Sequence, residues 1–135
     1  RAMLSNDNFD FSFSGLKTAV LYYLKRHSNE EIEEHRNDIL ASFQAALVDV
    51  LVEKTIRAGI KKGVKKVVLA GGVACNSSLR RTMNQRAMDN KMKLYFPPPV
   101  LCTDNAAMIA CAGRYRLLNG ENSAYNLSPL PSLKL

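Results

Sequence analysis

The hydrophobic period of this chain changes several times, and each change marks an element. Phe9-Asp10-Phe11-Ser12-Phe13 alternates aromatic and polar side chains, which predicts a short half-buried strand broken by Ser14-Gly15. Leu16, Ala19, Val20, Tyr23 and Leu24 then recur at helical spacing and predict a helix from about Leu16 to His27, punctuated by Ser28-Asn29. A longer helix is expected from about Glu31 to Lys62, with Ile39, Phe43, Ala46, Leu47, Val50 and Leu51 as its apolar stripe, Gly59 fraying it and Gly63 stopping it. Lys65 to Ala70 carries a continuous apolar run, the pattern of a parallel strand covered on both faces. Gly71-Gly72 ends it. A helix from about Asn76 to Asp89 should turn Leu79, Met83 and Ala87 inward. A strand from Lys93 to Phe96 stops at Pro97-Pro98-Pro99, and a last helix from about Asp104 to Leu118, rich in small residues and suited to close packing, ends at Asn119-Gly120.

This order predicts an α/β fold with a small, mostly parallel sheet and about four helices, ordered over 8–120 with an irregular tail over 121–135. Only about three strands are expected, which is few for a buried parallel sheet. With no methionine at position 1, the pattern suggests a piece of a larger protein, or one covered by a second copy of itself. At 135 residues, 47% apolar and 23% charged, the composition is that of a folded domain, not a disordered chain. No apolar run is long enough to span a membrane and the N-terminus lacks the order of a secretory signal, so no membrane is expected and a cytoplasmic address is the default. The three cysteines, Cys75, Cys102 and Cys111, have neither disulfide-framework nor zinc-ligand spacing and are read as reduced thiols.

A net charge of +7 favours polyanionic partners without naming one. Lys61, Lys62, Lys65 and Lys66 bracket one turn, and Arg80, Arg81 and Arg86 follow, a cluster that suits either phosphates or plain solvation. His27 and His35 lie eight apart on a polar surface without zinc-protease spacing, and neither a serine-hydrolase elbow nor a phosphate loop is present.

Three segments remain as candidates for chemistry. In Gly71-Gly72-Val73-Ala74-Cys75-Asn76-Ser77-Ser78-Leu79-Arg80, the paired glycines allow close approach of a ligand and the free amides of the next helix suit a phosphate or a polar nucleotide atom. Asn76 is then a recognition residue or merely the helix cap. In Cys102-Thr103-Asp104-Asn105-Ala106-Ala107-Met108-Ile109-Ala110, Asp104 stands at the ligand edge of the sheet, where a carboxylate suits a divalent cation, or else Thr103 or Asp104 caps the helix. In Phe11-Ser12-Phe13-Ser14-Gly15-Leu16-Lys17-Thr18-Ala19, Ser14 and Lys17 suit an anion at a helix start, or the end of a strand and a serine cap.

Taken in series, these three segments resemble one family from about Phe9 to Gly120, the TsaD family of tRNA threonylcarbamoyladenosine enzymes, formerly labelled glycoproteases. The resemblance implies an actin- and Hsp70-like ATPase fold and transfer of threonylcarbamoyl from threonylcarbamoyl-AMP to the N6 amine of the adenosine 3′ of the tRNA anticodon. It implies that Asn76 lines the adenosine pocket, with threonylcarbamoyl-AMP or ATP as nucleotide ligand, that Gly71 and Gly72 form its floor, and that Asp104 joins two histidines from another part of the enzyme on one iron or zinc ion. It further implies tRNA, the N-terminal half and sister subunits of a tRNA-modification complex as partners. The family's His-x-x-x-His metal motif and N-terminal phosphate-binding segment have no counterpart in these residues, so the chain alone is expected to be inactive. A related carbamoyltransferase of the same fold shares the diglycine and asparagine but not the Ser-Phe-Ser-Gly-Leu-Lys-Thr stretch. A noncatalytic actin-like scaffold would explain the missing metal motif but not the presence of both Asn76 and Asp104.

Overall fold

The computed structural model of the chain describes residues 8–126 and 128. Helices α1 (Phe13–Leu24), α2 (Asn29–Glu34) and α3 (Arg36–Lys62) come first, followed by strand β1 (Lys66–Val68), a 3₁₀ turn (Gly72–Cys75), α4 (Ser77–Asp89), β2 (Lys93–Tyr95), a second 3₁₀ turn (Pro99–Leu101) and α5 (Ala106–Leu118). The described chain is thus mostly helical around a two-stranded parallel sheet, β1 and β2 pairing Lys66 with Lys93 and Val68 with Tyr95. Parallel neighbours need a crossover, and α4 supplies it. Residues 121–126 carry no helix or strand; the rest of the expected tail, apart from 128, lies outside the described residues.

The core is a single seam between α3, α4 and one face of the sheet. Val48, Val52 and Ile56 recur at helical spacing on α3 and meet Leu79, Met83 and Ala87 of α4, with Val67 and Met92 closing the seam. The inward set expected for α4 is therefore the set observed, each residue no more than 1% exposed. On another face of α3, Lys54 is 1% exposed, and its ammonium donates to Asn8 Oδ1 at 3.2 Å and to the Asp10 carbonyl at 2.5 Å. A buried cation is tolerable only with such acceptors, and these fasten the segment before α1 to α3.

Five expectations are corrected. The strand over Phe9–Phe13 does not form: the segment has no partner strand among the described residues, Phe11 and Phe13 stack on each other at 5.9 Å, and Ser12 instead caps α1, which starts three residues earlier than expected. The long helix is divided at His35 (φ −102°, ψ 13°), although the backbone bonds from His35 to Glu31 and from Ile39 to His35 carry the ladder across the bend. Gly59 is not a fraying point but a buried contact, where an added Cβ would lie 2.9 Å from Met92 Cε. The apolar β1 is covered on one face only: Val67 is 9% exposed and Val68 is 72% exposed, because a two-stranded sheet with α3 and α4 on one side leaves its other side bare among the described residues. Finally, α5 buries none of its residues, so its small side chains are not used in close packing within the described chain.

At the start of α2 the Ser28 hydroxyl and the Glu31 carboxylate form a reciprocal cap. The neighbouring Glu30 carboxyl is held below the usual carboxylate range by a backbone hydrogen bond and then by the Ser28 hydroxyl. A depressed carboxyl stabilises the fold above its unfolded value, so this contribution fades only as acid takes the solution through the folded value, below 4.5.

Candidate functional site

Adjacent parallel strands send the loops that follow them out at the same edge of the sheet, the usual ligand edge of α/β units. Here β1 runs into Gly71 and the first 3₁₀ turn, and β2 runs through the prolines into the second 3₁₀ turn and on to Thr103-Asp104. The two candidate segments therefore leave the sheet side by side. They also touch: the Cys75 thiol donates to the Pro99 carbonyl at 3.5 Å, and Arg80 donates from Nε to the Ala74 carbonyl and from Nη2 to the Pro97 carbonyl at 3.0 Å.

Within this edge the glycines play unequal parts. Gly71 has φ 89° and ψ 168°, a region open to glycine alone, and it is this backbone that turns the chain out of β1. Replacing Gly71 with alanine is expected to cost about 1–3 kcal/mol in a urea titration through backbone strain alone, since nothing lies within 4 Å of the added Cβ. Gly72 has no positive φ, and open space surrounds its Cβ position. No described neighbour requires a glycine there.

Asn76 is the N-cap of α4. Its Oδ1 accepts from the Leu79 amide at 2.9 Å and its Nδ2 donates to Gln44 Oε1 at 3.0 Å. The capping role is thus observed, and only the exposed bond to Gln44 would have to open for Nδ2 to meet a ligand. At Asp104 the capping role is absent. Asn105 caps α5, accepting from the Met108 amide at 3.0 Å and donating to the Thr103 carbonyl at 2.9 Å, so neither Thr103 nor Asp104 caps that helix. Asp104 is an exposed carboxylate.

Ser14 and Lys17 lie exposed on the first two turns of α1, one on either side of buried Leu16. Ser12, not Ser14, takes the Gly15 amide, at 3.1 Å, and no hydrogen bond or ion pair joins Ser14 or Lys17 to the other two segments among the described residues. The basic cluster is also partly consumed. Arg86 pairs with Glu53 at 2.6 Å and Arg80 is committed to carbonyls, whereas Arg81 and the lysines at 61, 62, 65 and 66 stay exposed. A separate apolar groove of about 520 Å³ runs between α1 and the first half of α3, lined by Leu16, Tyr23, Ile39 and Phe43 among others, away from both strand-end loops.

No group of three or more metal-binding side chains occurs among the described residues. Asp104 offers one oxygen donor, and a hard cation needs several. These residues therefore do not by themselves build a metal site.

Sequence reasoning passed over Arg80 as a site residue and Gln44 altogether. One signal was available for Arg80, which follows Asn76 by four positions and so stands on the same helix face one turn on; Gln44 lies 32 residues away from Asn76 and gives no such sign.

Among known proteins, the model of the family described as TsaD, tRNA N6-adenosine threonylcarbamoyltransferase, matches residues 2–111. Relatives that carry the name tRNA N6-adenosine threonylcarbamoyltransferase include one from Clostridioides difficile strain 630, 50% identical over all of this chain, and one from Geotalea daltonii, 49% identical over 97% of it. A third, from Geobacter sp. strain M21, is 51% identical over 97% of the chain. The chain spans about 40% of the length of the first of these relatives and 38% of the other two. With the family model matching most of its residues and the likeness running the length of the chain, this protein belongs to the TsaD family.

Proposed function

We propose that the chain supplies the C-terminal part of a tRNA N6-adenosine threonylcarbamoyltransferase, with the strand-end edge described above as its contribution to the adenylate cleft. In the proposed reaction the N6 amine of the tRNA adenosine attacks the carbamoyl carbon of threonylcarbamoyl-AMP. The bond from that carbon to the phosphate oxygen breaks, AMP leaves with the electron pair, and the amine loses a proton. Gly71 and Gly72 form the floor of the nucleotide pocket, Asn76 meets the adenosine through Nδ2, and Ser14 and Lys17 face the anionic end of the substrate. Asp104 gives one ligand to an iron or zinc ion completed by groups outside these residues, which would polarise the carbamoyl carbonyl when bound. The same reading makes the two-stranded unit a piece of an actin-like ATPase fold acting in the cytoplasm with tRNA, an N-terminal half and sister subunits.

The observation that carries this reading is the side-by-side exit of the Gly71 and Asp104 loops from adjacent parallel strands. Asn76 tests it, because serine caps a helix as well as asparagine does but lacks an amide donor. Asn76→Ser, in this chain joined to the N-terminal part of the Clostridioides difficile relative, is expected to weaken binding of a nonhydrolysable threonylcarbamoyl-adenylate analogue about tenfold by calorimetry, the worth of one hydrogen bond to a ligand. Its unfolding midpoint should not move. Unchanged affinity would leave Asn76 a cap and nothing more.

A further inference from the structure

Four contacts converge on one guanidinium. Arg80 Nε donates to the carbonyl of Ala74, inside the first 3₁₀ turn, and Nη2 reaches both the Pro97 carbonyl at 3.0 Å and the Cys102 sulfur at 3.2 Å, on either side of the second. The guanidinium carbon lies 4.6 Å from the centroid of Phe96, where β2 gives way to the prolines. Cys102 is 5% exposed and its thiol in turn donates to the Pro97 carbonyl at 3.6 Å, so the sulfur is fixed from both sides. No carboxylate pairs with Arg80 among the described residues, so its charge is spent on carbonyl dipoles, a sulfur and a ring.

The geometry points to Arg80 as a positioning residue that locks the Gly72–Cys75 turn to the Pro97–Cys102 loop and so sets the distance between the diglycine bend and Asp104. Only a planar fork with donors on separate nitrogens can hold two carbonyls while stacking on a ring; a lysine ammonium offers one point and no plane. This rests on the reading above for its link to transfer, but the lock itself is a property of the chain.

Hydrogen exchange separates the two. The amides of Ala74 and Asn76 bond to Gly71 and Val73, and those of Leu101 and Cys102 bond to Pro98 and Pro99. In Arg80→Lys these four amides are expected to exchange about tenfold faster or more, because each turn loses the contact that keeps it from opening locally, while the Leu69 amide, bonded to Tyr95 across the sheet, keeps its protection. Phe96→Leu, which removes the ring and leaves every hydrogen bond, should give a smaller change in the same peptides. Exchange in the two turns that matches the wild type, or turns already unprotected in a wild-type chain whose α3 is protected, would overturn the lock. In the joined enzyme, well below its unfolding midpoint, Arg80→Lys is expected to lower kcat/KM for transfer about a hundredfold, the cost of misplacing reacting groups by about an ångström. Loosened turns with undiminished transfer would uphold the lock and remove its role in the reaction. A wild-type joined enzyme that transfers nothing would count against the proposed function alone.

Discussion

Joined to the N-terminal part of the Clostridioides difficile relative, this chain is expected to transfer threonylcarbamoyl to tRNA, and Asp104→Ala in that protein to lower the rate more than about 100-fold, since loss of a direct ligand should cost at least what loss of a supporting group does. The chain by itself should give no transfer. Substitution at Asp104 is informative because the carboxylate has no structural work in the described fold: it is exposed, it caps nothing, and the α5 cap belongs to Asn105. An exposed substitution of this kind normally stays within about 0.5 kcal/mol in stability. The experiment compares initial transfer rates, ion content and unfolding midpoints of Asp104→Ala and Asp104→Asn with the parent. Full activity in either variant would remove Asp104 from the site, and a large drop in midpoint would make the rate loss a folding effect.

The second large effect is on the fold itself. Leu79→Ala is expected to cost about 2–5 kcal/mol in urea unfolding followed by circular dichroism, the range for emptying a closed core position. Leu79 is 1% exposed and packs in the seam with Val48, Val52, Ile56 and Met83, where α3 and α4 are held rigid by the sheet and cannot collapse onto the gap. Total stabilities of domains run to only about 5–15 kcal/mol, so this single change should remove a large share. Leu117→Ala is the matched control: Leu117 is 66% exposed, and its loss should move stability by less than about 0.5 kcal/mol. Equal effects at the two positions would mean that the seam is not the core.

What was legible along the chain was whatever depends on neighbours in sequence. The inward face of α4, the arrest of β2 at Pro97 and the passage from β1 into Gly71 all follow from period and from residue types with restricted backbones. Phe9-Asp10-Phe11-Ser12-Phe13 misled because alternation states which faces a strand would have, not whether a partner exists to pair with it. The bend at His35 was invisible because it leaves the spacing of Ile32, Ile39 and Phe43 intact. The cap at Asn105 and not Asp104 turns on one residue, finer than periodicity resolves. At the candidate site, the glycine bend and Asp104 were legible as residue types, but the tie between them was not, because Arg80 joins groups 6 to 22 residues away and no local pattern encodes it.

Helix α5 follows this edge and places no side chain in the interior. Opening it exposes nothing that was hidden, so the free energy that protects its peptide bonds is small compared with that of the α3–α4 seam. A protease at low dose should accordingly cut first beyond Cys102, leaving a trimmed product that still melts as a unit but has been parted from everything downstream of Asp104.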